Sequence, residues 1–285
     1  MSEKKYIYNG ELVTASEICD IVFSNRAFKF GDSLFETIRY SNRNILFLPN
    51  HISRLKLNMP NLKMKIPSYF STEYFLDKIS TVIFANNYQD KSVKIRLTVF
   101  RKGSGAYYPE SNEVDYVIDV ELLENTFYNL PSNGLVVDVF KDILKPIDRL
   151  SNIKTGNSLL YVLASINKDI ARLDDCLILN TSGRICEATS SNIFIVKGNM
   201  IMTPPDTEGC VRGIMRDQIK KIAESNKFML YENPLTIHSL ISADEVFITN
   251  TIQGPQWIRQ FQSRIYEQKK VTQFFVEVLN EMIRK

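Results

Sequence analysis

Lys154 is the residue of this sequence with the clearest capacity for covalent chemistry. It lies in the segment 150–158, Leu-Ser-Asn-Ile-Lys-Thr-Gly-Asn-Ser, between an apolar strand pattern and an apolar helix pattern. A lysine at such a junction can lose its solvent, which lowers its pKa and frees the amine to act as a nucleophile or to form an imine. The alternative is a solvated lysine close to the N-cap of a helix.

Glu187 is a second candidate, because it precedes a run of hydroxyl residues and then a strand, in the sequence Glu-Ala-Thr-Ser-Ser-Asn-Ile-Phe. A buried carboxylate can hold a protonated ring nitrogen, as some cofactor enzymes require. The alternative is a turn whose hydroxyl groups bond to their own backbone.

Two further segments have the character of anion sites. Gly213 opens an amphipathic helix directly after a loop, and the free N–H groups of a helix N-terminus bind anions. A predicted strand ends in Thr-Asn-Thr at 249–251, whose hydroxyl groups could reach the same anion. Each segment alone is equally an ordinary loop-to-helix junction or a plain strand exit. Together with Lys154 and Glu187, they are the parts needed to hold pyridoxal 5′-phosphate.

The composition excludes several other chemistries. The chain has 285 residues, 44% of them hydrophobic and 24% charged, which is typical of a globular protein. A net charge of +3 argues against nucleic acid and an anionic membrane as partners. Two histidines and four scattered cysteines argue against a histidine triad and a metal site. The N-terminus lacks a signal-like apolar segment and no window is apolar enough to span a membrane, so we expect a cytoplasmic protein.

Helix and strand patterns alternate along the chain, and the elements they predict must position the candidate residues. Helices are predicted at 49–59, 71–87, 157–170, 213–225 and 271–283, and strands at 93–100, 114–123, 135–140, 192–196, 199–202 and 244–249. The periodicity stops over 124–134. We therefore predict an α/β or α+β protein with an N-terminal domain at 1–123, a linker at 124–134 and a C-terminal domain at 135–285 that carries Lys154.

With these residues in place, the sequence resembles the class-IV pyridoxal-phosphate enzymes, which include branched-chain and D-amino acid aminotransferases and 4-amino-4-deoxychorismate lyase. The resemblance covers nearly the whole chain. The family signature is matched by Glu187, by Asn192-Ile-Phe194, by Thr203 and by Gly213-Ile-Met-Arg216. The segment 30–39, Phe-Gly-Asp-Ser-Leu-Phe-Glu-Thr-Ile-Arg, and His51-Ile-Ser-Arg54-Leu resemble the family's upstream blocks.

The resemblance implies a role for each matched residue. Lys154 would form the imine with pyridoxal 5′-phosphate and move the substrate proton, and Glu187 would pair with the ring nitrogen. The remaining cofactor contacts would come from Arg54, Asn192, Val211, Gly213, Ile214, Met215 and Thr251. The implied fold is a small N-terminal α/β domain and a larger, barrel-like C-terminal α/β domain with the cofactor between them. A homodimer is also implied, in which the partner subunit contributes to the active site.

The reaction stays open between aminotransfer and lyase chemistry. Met215 and the block Phe-Glu-Thr-Ile-Arg39 resemble lyases, whereas Asn157-Ser158 departs from the Asn-Arg that lyases often have there. The loop 102–109 lacks the Arg-x-His clamp of D-amino acid aminotransferases. Trp257, the single tryptophan, either lines a substrate pocket or serves packing.

Arg96 stands where branched-chain aminotransferases have an arginine for the substrate carboxylate. Lys94 shares its strand face and Tyr107 lies on the following loop, so these three are candidate substrate contacts, with a solvated strand face as the alternative. We predict an aminotransferase acting between an amino acid, branched-chain ones included, and a 2-oxo acid. The alternatives are 4-amino-4-deoxychorismate lyase, which releases pyruvate to give 4-aminobenzoate, and a relative with a binding role alone.

Overall fold

The computed structural model describes residues 3–22 and 25–284. The chain forms two compact units. The first extends to Phe127 and includes Ile153–Asn157, and the second consists of Tyr128–Asn152 and the residues from Ser158 onward. Lys154 thus groups with the first unit, which differs from the expectation that the C-terminal domain carries it. The reason is that Gly156 N–H donates to the Ser33 carbonyl over 2.9 Å, so this segment is bonded to a strand of the first unit.

The first unit is built on one antiparallel sheet. Within the described residues its strands are β1 Lys5–Tyr8, β2 Glu11–Thr14, β3 Ser33–Ser41, β4 Asn44–Ile45, β5 Ser92–Arg101 and β6 Val114–Leu123. Its α-helices are α1 Ala15–Val22, α2 Arg26–Phe30, α3 Leu48–Asn58 and α4 Thr72–Ala85, and a 3₁₀ turn spans Met59–Leu62. The strand order is β2-β1-β6-β5-β3-β4.

The core of the first unit lies between this sheet and the apolar faces of α3 and α4. Alternate residues of β5 and β6 point into it, and α3 adds Leu48, Ile52 and Leu55 at helical spacing. His51 shares the buried face of α3 and is 0% exposed. The face of α3 that anchors the helix therefore also carries a titratable side chain toward β3.

The second unit is built on a mixed sheet. Its strands among the described residues are β7 Leu135–Lys145, β8 Asp175–Asn180, β9 Ile185–Ala188, β10 Asn192–Lys197, β11 Met200–Thr203, β12 Met229–Glu232, β13 Glu245–Asn250, β14 Gly254–Phe261 and β15 Arg264–Ile265. Its α-helices are α5 Leu159–Ile170, α6 Ile214–Ser225, α7 Ile237–Ile241 and α8 Lys270–Arg284, and a 3₁₀ turn spans Asp206–Glu208. The strand order is β12-β11-β10-β13-β14-β7-β8-β9, with β15 beside β14.

These elements confirm the predicted mixed α/β fold. The predicted strand at 114–123 has the bounds of β6, and the other predicted helices and strands recur with ends shifted by a residue or two, apart from β7. β7 continues to Lys145, five residues past the predicted end. The alternation that signals a strand is lost there because residues 141–144 are all exposed and the register with β8 shifts before Lys145. Throughout the described ranges, every helix is too short or too polar to span a bilayer.

Candidate active site

Lys154 lies beside the first residues of β3, near one edge of the first unit's sheet. Its carbonyl accepts a 3.0 Å hydrogen bond from the Phe35 N–H, and Thr155 forms a β-bridge with Leu34. α5 begins only at Leu159, so Lys154 lies in the connection that precedes the helix and not at the helix cap. The Lys154 Nζ lies 4.3 Å from the centroid of the Phe35 ring. The backbone and the side chain of this lysine are therefore both positioned by one residue of β3.

Arg54, a predicted cofactor contact, is held by Glu36 of β3. The Arg54 Nε donates 2.8 Å to Glu36 Oε1, its Nη2 donates to Oε2, and His51 Nδ1 lies 2.6 Å from Oε2. Burial alone would raise the pKa of Glu36, but Arg54 and His51 outweigh it and lower the pKa to about 2. Burial also lowers the pKa of His51. The result is an ionised carboxylate that orients a guanidinium.

The predicted substrate contacts on β5 differ in their surroundings. Lys94 pairs with Glu121 at 2.6 Å across the β5–β6 ladder, so its charge is already engaged. Arg96 is exposed, and its guanidinium carbon lies 3.7 Å from the centroid of the Phe35 ring. Two cationic side chains, Arg96 and Lys154, therefore contact one aromatic ring. Of the two β5 residues, Arg96 is better placed to bind an anionic substrate.

Tyr107 lies apart from these groups. Its side chain is 90% exposed and its ring packs 5.7 Å from that of Phe30. The buried Arg26 guanidinium donates to the carbonyls of residues 104–107, which fixes the course of this loop. Within this chain Tyr107 is a surface side chain on a well-anchored loop, and a substrate contact remains a prediction.

Glu187 forms the centre of the polar groups in the second unit. It lies on β9 and is 3% exposed. Its Oε2 accepts a 2.8 Å bond from the Val211 N–H, and its Oε1 accepts bonds from the Tyr161 hydroxyl, at 2.6 Å, and from Lys145 Nζ. Three donors, one of them a cation, thus surround this buried carboxylate. A buried carboxylate is the group that a protonated ring nitrogen needs.

Lys145 and Tyr161 are partners of Glu187 that sequence reasoning did not identify. Burial, then the charge of Glu187, raises the pKa of Tyr161, so its phenol stays a hydrogen-bond donor. The only sequence signal for Lys145 is a charge directly before Pro146, five residues past the predicted end of the strand. Such a signal does not distinguish a buried partner from a solvated lysine.

The turn into α6 joins several of the predicted contacts. The Val211 N–H donates to Glu187, and its carbonyl accepts 2.8 Å from Asn192 Nδ2. Gly213 caps α6 without any side-chain hydrogen bond to the helix N-terminus. A Cβ on Gly213 would lie 1.8 Å from Asn192 Oδ1, so this position requires a glycine. The backbone N–H groups of Ile214 and Met215 therefore begin a helix that no side chain caps, which suits an anion.

Hydroxyl groups line the neighbouring end of β13. Thr249 lies opposite Asn192 in the β10–β13 ladder, and its Oγ1 is buried without a hydrogen-bond partner among the described residues. Thr251 is half-buried in the turn that follows, where its carbonyl accepts a 3.0 Å bond from the Tyr128 hydroxyl. A buried hydroxyl without a hydrogen-bond partner destabilises the fold unless a ligand accepts its hydrogen bond. This end of the strand therefore suits an acceptor such as a phosphate.

Three other residues singled out in the sequence serve the scaffold. The Thr203 hydroxyl donates 2.8 Å to the Ile193 carbonyl. Arg216 is 2% exposed and donates to the Pro204 carbonyl, at 2.8 Å, and to Glu232, so it fixes α6 against its neighbours. The Trp257 Nε1 donates 2.6 Å to the Pro131 carbonyl, which supports the packing interpretation of this tryptophan.

Comparison with known proteins identifies the family. The family described as Amino-transferase class IV matches residues 33–261, and this chain belongs to it. A curated relative, the "Putative branched-chain-amino-acid aminotransferase" of Methanocaldococcus jannaschii, is 30% identical, with 94% of this chain and 91% of the relative covered. The aminodeoxychorismate lyase of Vibrio harveyi is 24% identical, with 82% and 84% covered.

A solved structure supports the fold. The crystal structure of the branched-chain aminotransferase from Thermoproteus uzoniensis with norvaline superposes with a TM-score of 0.87, at 22% identity, and covers 99% of this chain and 95% of the other. The family match and the curated relatives confirm the resemblance to class-IV enzymes, and the chain is an enzyme of this family. The family depends on pyridoxal 5′-phosphate.

Proposed function

We propose that this chain is a pyridoxal-phosphate aminotransferase that moves an amino group between an amino acid, branched-chain ones first, and a 2-oxo acid. The buried Glu187 carries the cofactor assignment, because a carboxylate is the partner that a protonated pyridine nitrogen requires. When bound, the cofactor supplies a ring that stabilises the charge left on a substrate carbon after its proton departs.

The chain supplies the proton carrier for this reaction. We assign it to Lys154 Nζ, which accepts the α-proton of the substrate and holds it as an ammonium. His51 is excluded from that role because it is 0% exposed and already engaged by Glu36. The face of the Phe35 ring favours the charged form of the Lys154 amine once it carries the proton.

The cofactor phosphate is assigned to groups of three kinds. The uncapped N–H groups of Ile214 and Met215 and the hydroxyls of Thr249 and Thr251 supply hydrogen-bond donors. Arg54 supplies the charge, in the orientation that Glu36 imposes. Asn192 and Gly213 act through the backbone of the turn, and the Val211 side chain is assigned to the ring.

Arg96 is our candidate for the substrate carboxylate. It is the exposed cation against Phe35, whereas Lys94 is paired with Glu121. Branched-chain amino acids are the first substrates to test because the Methanocaldococcus relative is described as acting on them. The missing Arg-x-His clamp in the loop 102–109 places D-amino acids second.

The second candidate is 4-amino-4-deoxychorismate lyase activity, favoured by the Vibrio relative and by Met215, whose side chain brings no hydroxyl to the start of α6. The same Lys154, Glu187 and Arg54 would serve it. A purified protein incubated with the cofactor should develop a visible absorption band. Borohydride reduction should then fix the cofactor covalently on Lys154. Lys154→Ala should show neither.

The addition of single substrates to the loaded protein then distinguishes the aminotransferase from the lyase reaction. Bleaching of the band by leucine, isoleucine or valine, reversed by a 2-oxo acid, is the expected aminotransferase result. Pyruvate release from 4-amino-4-deoxychorismate without reversible bleaching would assign the lyase instead. A protein that stays colourless with the cofactor would overturn both activities. The remaining alternative would be a class-IV relative with a binding role alone.

We also propose a homodimer, formed in part by α5. One face of this helix exposes five apolar side chains: Leu159, Val162, Leu163, Ile166 and Ile170. Exposed apolar faces of this kind mark association surfaces. Ile166→Glu should yield a smaller species in light scattering after size exclusion, and Asp169→Asn on the same helix is the control. A cytoplasmic location stays a prediction.

A further inference from the structure

Lys145 is a buried cation for which the class-IV signature assigns no role. Its side chain is 6% exposed, its Nζ bonds to Glu187 Oε1, and the same Nζ lies 5.6 Å from the centroid of the Tyr161 ring. Lys145 is the last residue of β7 and pairs with Asn180 of β8 in the parallel ladder. The register shift in β7 before Lys145 therefore delivers this side chain to the Glu187 carboxylate.

The charges of Lys145 and Glu187 depend on each other. A buried ammonium or carboxylate is strongly disfavoured alone and persists when each neutralises the other. Glu187 also accepts from the Tyr161 hydroxyl and the Val211 N–H. The Glu187 carboxylate is therefore paired with a buried cation within this chain, independently of any cofactor.

We propose that Lys145 is a positioning residue that acts through Glu187 and weakens the hold of this carboxylate on the proton of the cofactor's ring nitrogen. The proposal rests on the assignment of Glu187 to that nitrogen. A carboxylate shared between two cations attracts each less than it would attract one alone. The ring nitrogen should therefore lose its proton at a lower pH than it would opposite an unshared carboxylate.

Replacement of Lys145 by residues with and without charge separates this effect from packing. Lys145→Met removes the charge at similar length, and Lys145→Arg keeps the charge. Lys145→Gln retains a hydrogen-bond donor toward Glu187 without the charge, and serves if the Met variant does not fold. None of these changes alters Lys154 or the groups assigned to the phosphate.

The readout is the ¹⁵N chemical shift of pyridoxal 5′-phosphate labelled at its ring nitrogen, recorded in the loaded protein across pH. We expect Lys145→Met or Lys145→Gln to move the midpoint of deprotonation upward by about one pH unit or more, a tenfold change in the equilibrium. Lys145→Arg should stay close to wild type. A midpoint that is the same in all four proteins would overturn the proposal and leave Lys145 a structural residue.

The apoprotein provides a second, cofactor-free readout. Lys145→Met should lower the urea midpoint at neutral pH, because the buried Glu187 carboxylate loses the cation that pairs with it. Lys145→Met/Glu187→Gln should recover most of the loss. Additive losses would overturn the charge coupling. A protein could show coupling between Lys145 and Glu187 in the apoprotein and yet fail to take up the cofactor. That result would confirm the ion pair but overturn the proposed function, and with it the proposed role of Lys145.

Discussion

Phe35 and Lys154 are joined at two points. The Phe35 N–H donates 3.0 Å to the Lys154 carbonyl, and the Lys154 Nζ lies 4.3 Å from the centroid of the Phe35 ring. The first contact fixes where the lysine leaves the backbone, and the second holds its amine through attraction between a cation and an aromatic face. One residue of β3 thus determines the placement of the proposed reactive amine.

Removal of the Phe35 ring should speed cofactor capture, because the ring favours the ammonium form of Lys154 and only the free amine attacks the cofactor aldehyde. Phe35→Leu keeps the backbone bond and much of the apolar volume but loses a contact that contributes about 0.5–2 kcal/mol. The rate of growth of the visible band in the apoprotein should rise by about 2- to 30-fold. Phe35→Tyr, which keeps the ring, is the matched control and should react at the wild-type rate. Equal or lower rates for Phe35→Leu than for wild type would count against this effect of the ring on the Lys154 amine.

The Glu36 carboxylate should make stability depend on pH in acid. Its pKa is about 2 in the folded protein against an ordinary value of 4.5, so it stabilises the fold above about pH 4.5. That contribution, about 3 kcal/mol, is lost as the pH falls from about 4.5 toward 2. Urea unfolding of wild type should weaken over this window more steeply than that of Glu36→Gln. If the unfolding free energies of the two proteins change in parallel with pH, the low pKa of Glu36 is contradicted.

Gly213 should not tolerate a side chain, although its backbone is ordinary at φ −73° and ψ 132°. In Gly213→Ala the new methyl group would meet Asn192 Oδ1 and disturb the bond from Asn192 to the Val211 carbonyl. We expect the affinity for pyridoxal 5′-phosphate to fall by about tenfold, measured by titration of the apoprotein. Asn192→Ala/Gly213→Ala removes the clash and should recover part of the loss. If the double variant loses as much affinity for the cofactor as the two single variants combined, or more, the clash with Asn192 is not the cause.

Thr249→Val should stabilise the apoprotein and weaken cofactor binding at once. The Thr249 Oγ1 is buried without a partner among the described residues, and removal of such a group returns about 1–3 kcal/mol. If the hydroxyl bonds the phosphate, the gain in unfolding free energy should shrink in the loaded protein. Thr203→Val is the matched control, because that hydroxyl is bonded to Ile193 and its loss should destabilise both forms. A Thr249→Val apoprotein less stable than wild type would rule out the unsatisfied hydroxyl.

Local patterning determined most of the elements. The strand at 114–123 and the helices α6 and α8 follow from alternation and helical spacing, because their own residues carry both the local propensity and the buried face. Where burial depends on distant partners the pattern fails. The last residues of β7 form a strand only because β8 pairs with Lys145 across a register shift.

The types and spacing of residues in the sequence by themselves determined the family, the reactive Lys154 and the ring-nitrogen candidate Glu187. Tertiary structure alone decided which charges meet. Glu36 pairs with Arg54 because β3 lies under the buried face of α3, and Lys145 reaches Glu187 although 42 positions separate them in the chain. Such pairs carry no local signal, because burial turns a common surface lysine into a partner of one particular carboxylate only after the strands have set their register.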